Sequence, residues 1–337
     1  MNTENLKHDL DLSEYEPFSA EALYYAVAFL HQHYKEFSLE PILNQSSESD
    51  SDAFKAFSFY MRSRYPKGSP GNGSDLTRLW NLLIGKGKAF DDFKMPYSLW
   101  AQAMPDSWWT FMNWGFYDFQ NKNSHPPLEG LEADWRYAIQ LYYRALDGVS
   151  LKGKDVLEVG SGRGGGAAHL ARAQSPNSYV GLDGTCSNTI FCRDTHHEPN
   201  LQFIHGDAEN LALPDESFDV LINIESCQIY SYPERFLAEA SRVLRPDGYL
   251  CIATVAQHSF FMELVEACEK MGFKLLALED ITGNVYTALE AFNMADMIQK
   301  HPTSCSKELY LHFFELTWHM NNVLKRNKYY YRLCFQC

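Results

Sequence analysis

The stretch VLEVGSGRGGGAAHL, Val156 to Leu170, joins an apolar run to a helical one through a turn made almost wholly of glycine. A short apolar run bounded by such a turn reads as a buried strand, and GGAAHLARAQ beyond it reads as a helix. The pattern then repeats. DVLEVG, SYVGLDG, LQFIHGD, DVLINIE and YLCIATV are short apolar runs separated by helical stretches such as PERFLAEASRVL. Strands alternating with helices form βαβ units, which predicts an α/β fold: a mostly parallel sheet with helices on both faces. In such sheets ligands bind at the carboxyl ends of the strands, so the residues that follow each run are the ones to inspect.

Ahead of this region the chain has a different character. Residues 1–105 read as a helical N-terminal cap: SAEALYYAVAFLHQHYKEF opens at a Ser19 cap with Leu23, Val27 and Leu30 on one stripe, and NQSSESDSD and YPKGSPGNGSD are linkers. Residues 106–337 form the second part. The formal charge of −14 is concentrated early, with eleven Asp/Glu against three Lys/Arg in residues 1–60. That field repels a phosphate backbone, so nucleic acid is not expected as a partner. The N-terminus has no basic and apolar leader and no apolar run reaches the length of a membrane span, so the chain reads as soluble and cytoplasmic, without membrane insertion. Of the eight cysteines only Cys334 and Cys337 form a C-x-x-C, without a second pair to complete a zinc site, and no metal is expected.

The glycine turn poses a question of sign. Gly160, Gly162 and Gly165 fit G-x-G-x-x-G, where backbone N–H groups cradle a pyrophosphate. Gly160, Gly162 and Gly164 equally fit E/D-x-G-x-G-x-G, which holds the cationic S-adenosylmethionine. Glu158 stands two residues before Gly160, where a carboxylate would repel a pyrophosphate by several kcal/mol at low effective dielectric, on the order given by Coulomb's law, and attract an ammonium. Asp183 ends the second run and suits a ribose diol under either reading. Asp207 ends the third and can read the exocyclic amine of adenine.

VLEVGSGRGGG, YVGLD, GDAENLALPDESFDV and RVLRPDGYL together resemble the successive motifs of class I S-adenosylmethionine-dependent methyltransferases, over about residues 152–256. WTFMNWGFYDF before that core, DITGNVYTALE after it and the tail NKYYYRLCFQC are similar to flanking segments of small-molecule O-methyltransferases of the mycobacterial phthiotriolone and fatty-acid type. The resemblance implies a Rossmann-like seven-stranded sheet, with the acceptor site and a closing antiparallel strand in residues 257–337. It implies S-adenosyl-L-methionine as cofactor, approached by Gly160, Ser161, Gly162 and Gly164, with Glu158 near the methionine end. It further implies Asp183 and Gly184 at the ribose, Asp207 and Ala208 at the adenine, Asn223 beneath the methyl group, and Trp114 and Tyr117 closing over the methionine. The implied activity is methyl transfer to a hydroxyl of a small apolar or aromatic acceptor, as in tailoring of a secondary metabolite. C-methylation of a quinone or sterol-like acceptor, and a weakly active partner-binding protein, are the alternatives. Homodimerisation stays open.

An alcohol must lose a proton to accept a methyl group, so a general base is wanted. Similar sequences often read E-[AS]-S-H-C-Y after the fourth strand, whereas this chain reads Glu225-Ser226-Cys227-Gln228-Ile229-Tyr230. Gln228 falls where that histidine would be; glutamine can orient a hydroxyl but cannot take its proton. His258, just past the fifth strand, is the first substitute by position, with Glu225 and Tyr230 next. His205 reads as structural, and His196 and His197 as a solvated loop. Asp183→Ala is expected to abolish cofactor affinity and leave folding intact.

Overall fold

The computed structural model describes residues 55–59, 61, 106–119, 128–302 and 328–337. They divide between two compact units, with 107–119, 128–302 and 328–337 in the first and 55–59, 61 and 106 in the second. The second contributes a helical stretch over 55–59 with Phe57 buried. The rest of the expected cap, residues 1–105, lies outside the described residues.

In the first unit the order is α1 (Leu131–Asp134), α2 (Arg136–Ala145), β1 (Asp155–Val159), α3 (Gly165–Ala173), β2 (Ser178–Asp183), α4 (Cys186–Thr195), β3 (Leu201–His205) and β4 (Phe218–Ile224). Then follow α5 (Pro233–Val243), β5 (Leu244–Ala256), α6 (His258–Lys270), β6 (Lys274–Asp280), α7 (Thr282–Ala291), α8 (Met294–Lys300) and β7 (Tyr329–Gln336). The strands form one seven-stranded sheet in the order β3-β2-β1-β4-β5-β7-β6. The pairs β3/β2, β2/β1, β1/β4 and β4/β5 are parallel, and β7 runs antiparallel between β5 and β6.

All five expected runs are strands. β1 is buried along its whole length, as a strand covered on both faces must be. Leu157, Val159, Leu182, Leu221 and Ile252 face α5 and α6 on one side. Helix α5 begins on Pro233, whose fixed φ suits a first turn, and buries Phe236, Leu237, Ala240 and Val243 at helical spacing. On the other side lies α2, whose Tyr142 meets Glu158 of β1 beside Tyr179 of β2. β6 was not read as a strand. KLLALED lies at the sheet edge with alternate residues exposed, Leu276 and Leu278 among them, so it lacks the wholly apolar character of the inner strands.

The two flanking motifs bind each other. Tyr117 N–H donates to the Asn284 carbonyl (3.2 Å), and the Asn284 amide donates back to the Tyr117 carbonyl (2.8 Å). Thr282 accepts from Tyr330 N–H at the start of β7 (2.8 Å), so WTFMNWGFYDF, DITGNV and the tail are locked together beside the carboxyl ends of β4 and β5. Trp108 is core, 5% exposed, and stacks on His301. Among the described residues no helix is long and apolar enough to cross a membrane.

Candidate active site at the carboxyl ends of the strands

The sheet order sets Asp207, Asp183, Glu158 and Glu225 side by side, each at or just beyond the end of β3, β2, β1 and β4 in turn. Residues far apart in sequence thus share one edge. The turn between β1 and α3 is drawn onto β2, with Gly160 N–H and Ser161 N–H both donating to the Leu182 carbonyl (2.7 and 3.0 Å). Gly160 has φ of 81°, and a Cβ there would lie 2.2 Å from Ser226 Oγ. Only glycine lets the ends of β1 and β4 approach so closely.

At the start of α3, Gly165 N–H donates to the Thr110 carbonyl (3.0 Å), and Met112 Sδ is 3.5 Å from where a Gly162 Cβ would stand. The first amide of the helix, which a pyrophosphate would need, is therefore spent on the chain itself. That arrangement disfavours the phosphate reading of the turn. Arg163, the one cation in the turn, is 2% exposed; its Nε donates to the Trp109 carbonyl, and its guanidinium lies 3.5 Å from the centre of the Phe191 ring. It faces inward.

Glu158 is wholly enclosed. Its Oε1 accepts from Tyr142 (2.6 Å) and its Oε2 from Tyr179 (2.7 Å). Burial pushes its carboxyl up to about 7, with Asp183 adding to the rise and the two phenols opposing it. Asp183 is also buried. Its Oδ2 accepts from Gly162 N–H (2.8 Å), and its Oδ1 accepts from Thr185 N–H (2.8 Å) and the Asn188 amide (3.3 Å). Burial raises its carboxyl above the ordinary range. Asp183 therefore holds the glycine turn, so Asp183→Ala is expected to cost stability as well as affinity.

Two enclosed polar atoms in this neighbourhood, Ser161 Oγ and Asn188 Oδ1, have no partner among the described residues. Buried polar atoms are seldom left so, and a hydroxyl-bearing ligand beside Asp183 would satisfy them. Gly184 is half-buried next to Asp183. Asp207 is exposed, with Oδ1 accepting from Glu209 N–H (3.0 Å), and Ala208 beside it packs on the core. The loop that carries them is braced by Arg242, which donates to the Leu211 and Leu213 carbonyls (2.8 and 2.7 Å).

Beyond β4 the candidates separate. Asn223 is fully buried, its amide donating to the Val159 carbonyl and Tyr230 Oη (both 3.0 Å) and its Oδ1 accepting from Cys227 N–H (3.0 Å). It shapes the end of β4 and has no free polar atom to give a ligand. Tyr230 joins the same knot, in contact with Ser226 Oγ at 2.8 Å, and burial pushes its phenol up, away from service as a base. The Gln228 amide donates to the Glu225 carbonyl (2.9 Å), and its Oε1 accepts from Thr254. Both ends of Gln228 are thus engaged in holding the turn.

Glu225 sits at φ 52°, a left-handed conformation unusual for a residue with a side chain. Its Oε1 accepts from Trp114 N–H and from Tyr330 Oη (both 2.7 Å). Burial pushes its carboxyl up to about 7. His258 is exposed and meets Tyr329 and Tyr331, its Nδ1 lying 3.4 Å from Tyr331 Oη. Neighbours on a strand point to opposite faces, so Tyr330 carries Glu225 on one side of β7 while His258 stands with Tyr329 and Tyr331 on the other. The structure does not bring His258 to the other site residues. His196 also differs from expectation: it is half-buried, with Nε2 2.8 Å from the Arg163 carbonyl, and it props the glycine turn.

Tyr142, Tyr179, Asn188, Thr110 and Tyr330 belong to the site without having been singled out by the sequence. The signal for Tyr142 was Gly166, the third glycine of a run that a turn alone does not require. A Cβ on it would fall 1.9 Å from Tyr142 Cζ.

A family model described as "Methyltransferase domain" matches residues 157–252. The phthiotriol/phenolphthiotriol dimycocerosates methyltransferase of Mycobacterium leprae is 41% identical over 181 residues, covering 52% of this chain and 66% of that one. The fatty-acid O-methyltransferase of Mycolicibacterium smegmatis is 35% identical over 229 residues, covering 62% and 80%. The chain spans 66% of the length of the M. leprae protein and 56% of its M. tuberculosis counterpart. The structure of a Galdieria sulphuraria protein, provisionally assigned as a sarcosine dimethylglycine methyltransferase, shares the fold at TM-score 0.52 and 14% identity, over 67% of this chain and 93% of that one. With the glycine turn, the acidic strand ends and the sheet order in place, the chain belongs to the class I S-adenosylmethionine-dependent methyltransferases, in the group that holds the phthiotriol/phenolphthiotriol dimycocerosates methyltransferases and the fatty-acid O-methyltransferase.

Proposed function

We propose that the protein transfers the methyl group of S-adenosylmethionine to a hydroxyl of a small lipid-like or polyketide-like acceptor, in the cytoplasm and without a nucleic-acid partner. The observation that carries this reading is the row of carboxylates along one sheet edge beside a glycine turn whose first helix amide is already occupied. Such an edge accepts a cationic ligand that also presents a ribose and an adenine. Bound there, the cofactor supplies an electrophilic methyl carbon on a sulfonium. Asp183, with Ser161 and Asn188 beside it, holds the ribose hydroxyls; Asp207 and Ala208 hold the adenine; Glu158 stabilises the ammonium end. Trp114 and Tyr117 cover the methionine. Its relatives, a phthiotriol/phenolphthiotriol dimycocerosates methyltransferase and a fatty-acid O-methyltransferase, support a lipid-like acceptor.

Calorimetric titration tests the cofactor. S-adenosylmethionine is expected to bind and NAD not to; the reverse would overturn the reading. Asp183→Ala is expected to weaken S-adenosylmethionine binding roughly 100-fold, the worth of about two hydrogen bonds to a charged group, and to lower stability by roughly 1–3 kcal/mol through the lost Gly162 and Thr185 contacts. Unchanged affinity in a folded variant would remove Asp183 from the site.

A further inference from the structure

We propose that Glu225 is the general base of the transfer, taking the acceptor's hydroxyl proton on Oε2, with Tyr330, Trp114 and Gln228 as its positioning residues. The inference rests on the methyltransferase reading above and names the group that reading leaves unassigned.

Two separate segments converge on this one side chain. Trp114 N–H comes from the segment before the core, and Tyr330 Oη from the closing strand; both donate to Oε1. Gln228 holds the Glu225 carbonyl, keeping the backbone at its left-handed φ of 52°. Among the described residues nothing donates to Oε2. The carboxylate is therefore oriented through one oxygen and open through the other, as a base must be. Its neighbour Ser226 lies against Gly160 of the glycine turn, which puts Glu225 next to the place where the methyl group arrives. Backbone strain of this kind persists only where the surroundings enforce it, and here each enforcing contact is identified.

The ionisation suits the task. Burial holds the Glu225 carboxyl at about 7, and the Tyr330 hydroxyl and Trp114 amide oppose that rise. The titratable groups that face it are the Tyr330 and Tyr142 phenols, both raised by burial. Neither changes charge near neutral pH. In the step itself the acceptor O–H bond breaks and its proton passes to Oε2. An oxygen lone pair forms the new bond to the methyl carbon, and the sulfur–carbon bond breaks with its electron pair left on sulfur. The products are the methyl ether, the thioether S-adenosylhomocysteine and a protonated Glu225 that returns its proton to water. A carboxylate acceptor needs no base and would meet Glu225 as a like charge, so the site selects a neutral alcohol.

The test uses the full chain, labelled S-adenosylmethionine and a total lipid extract of the source cells, with the labelled lipid treated with mild alkali after reaction. Label is expected to stay in the lipid, as a methyl ether does. Label released as methanol, which marks a methyl ester of a carboxylate acceptor, or no label while the cofactor binds, would overturn the proposal; failure of cofactor binding itself would instead overturn the function proposed above. Glu225→Gln is expected to lower kcat about 100- to 10,000-fold with cofactor affinity unchanged. Activity within threefold of the parent, or lost cofactor binding in a folded variant, counts against the base. Glu225→Asp is expected to recover part of the rate. A readout independent of turnover comes from carbon-13 NMR of glutamate-labelled protein without cofactor. Two carboxyls, those of Glu158 and Glu225, are expected to titrate near 7; the one that vanishes in Glu225→Gln is expected to move to higher pH in Tyr330→Phe, since losing the donor disfavours the ionised form. The acidic limb of the rate profile must move with it; an unmoved limb would show that the contact only shapes the fold. His258→Ala is expected within twofold of the parent, and a 100-fold loss there would transfer the role to His258.

Discussion

Between about pH 5 and pH 8 the cofactor-free protein is expected to lose about 3 kcal/mol of stability through Glu158 alone. The carboxyl rises from an ordinary 4.5 to about 7 because it is enclosed between β1 and Tyr142 with no cation against it. Each pH unit of that rise corresponds to about 1.4 kcal/mol. Between the two values the folded chain holds the proton and the unfolded chain has released it, so raising the pH favours unfolding. The contribution is fully present below 4.5 and gone above 7. Glu225, raised to about 7 in the same way, steepens the fall, and Asp183 shifts in the same direction. Urea midpoints at the two pH values measure it. In Glu158→Gln, whose amide accepts from one tyrosine and donates to the other, the difference should shrink by about 3 kcal/mol; an undiminished slope would mean the strain lies elsewhere. A cationic ligand beside Glu158 reverses the penalty. Saturating S-adenosylmethionine should therefore stabilise the parent more at pH 8 than at pH 5, and the difference should be smaller in the variant.

The same carboxylate shows what was legible in the sequence. Its position, two residues before Gly160, marked it as part of a site, because strand ends and glycine turns are local features. Its partners were not legible. Tyr142 lies on a helix ahead of the core and Tyr179 on the neighbouring strand, and only the β1/β2 register, with Glu158 opposite Gly181, brings Tyr179 to the same face. The candidates for the base follow the same logic. His258 stands just past β5 and carries the right chemistry, so position along the chain favours it. The antiparallel β7 separates it from Glu225, since its alternation sends Tyr330 to Glu225 and Tyr329 and Tyr331 to His258. Gln228 looked like a lost histidine and is a brace for the turn that strains Glu225. β6 escaped because an edge strand with one solvated face has no strong apolar signature.

Gly166→Ala is expected to cost about 3 kcal/mol, although alanine is the better helix former by roughly 1 kcal/mol. The added Cβ would stand 1.9 Å from Tyr142 Cζ and 2.3 and 2.4 Å from its two Cε atoms. A ring cannot yield at such distances by adjusting a rotamer. Phe111 packs edge-on against it at 6.4 Å, and its hydroxyl is fixed on Glu158. If Tyr142 moves, Glu158 keeps one donor while remaining enclosed, at a cost of about 1–3 kcal/mol. If α3 moves instead, it drags the glycine turn from β2 and overpacks the layer, for about 1–3 kcal/mol more. At about 2–4 °C per kcal/mol for a unit of this size, the melting temperature should fall by roughly 6–12 °C. Gly283→Ala, where a Cβ meets nothing within 4 Å, is the control and should leave it unchanged or raise it slightly. In a Tyr142→Leu background the ring is gone, and the cost of Gly166→Ala should drop below about 1 kcal/mol, a coupling expected only of residues in contact. A full cost persisting there would show that the third glycine serves the turn itself, and that the room it leaves for Tyr142 is incidental to the way Glu158 is held.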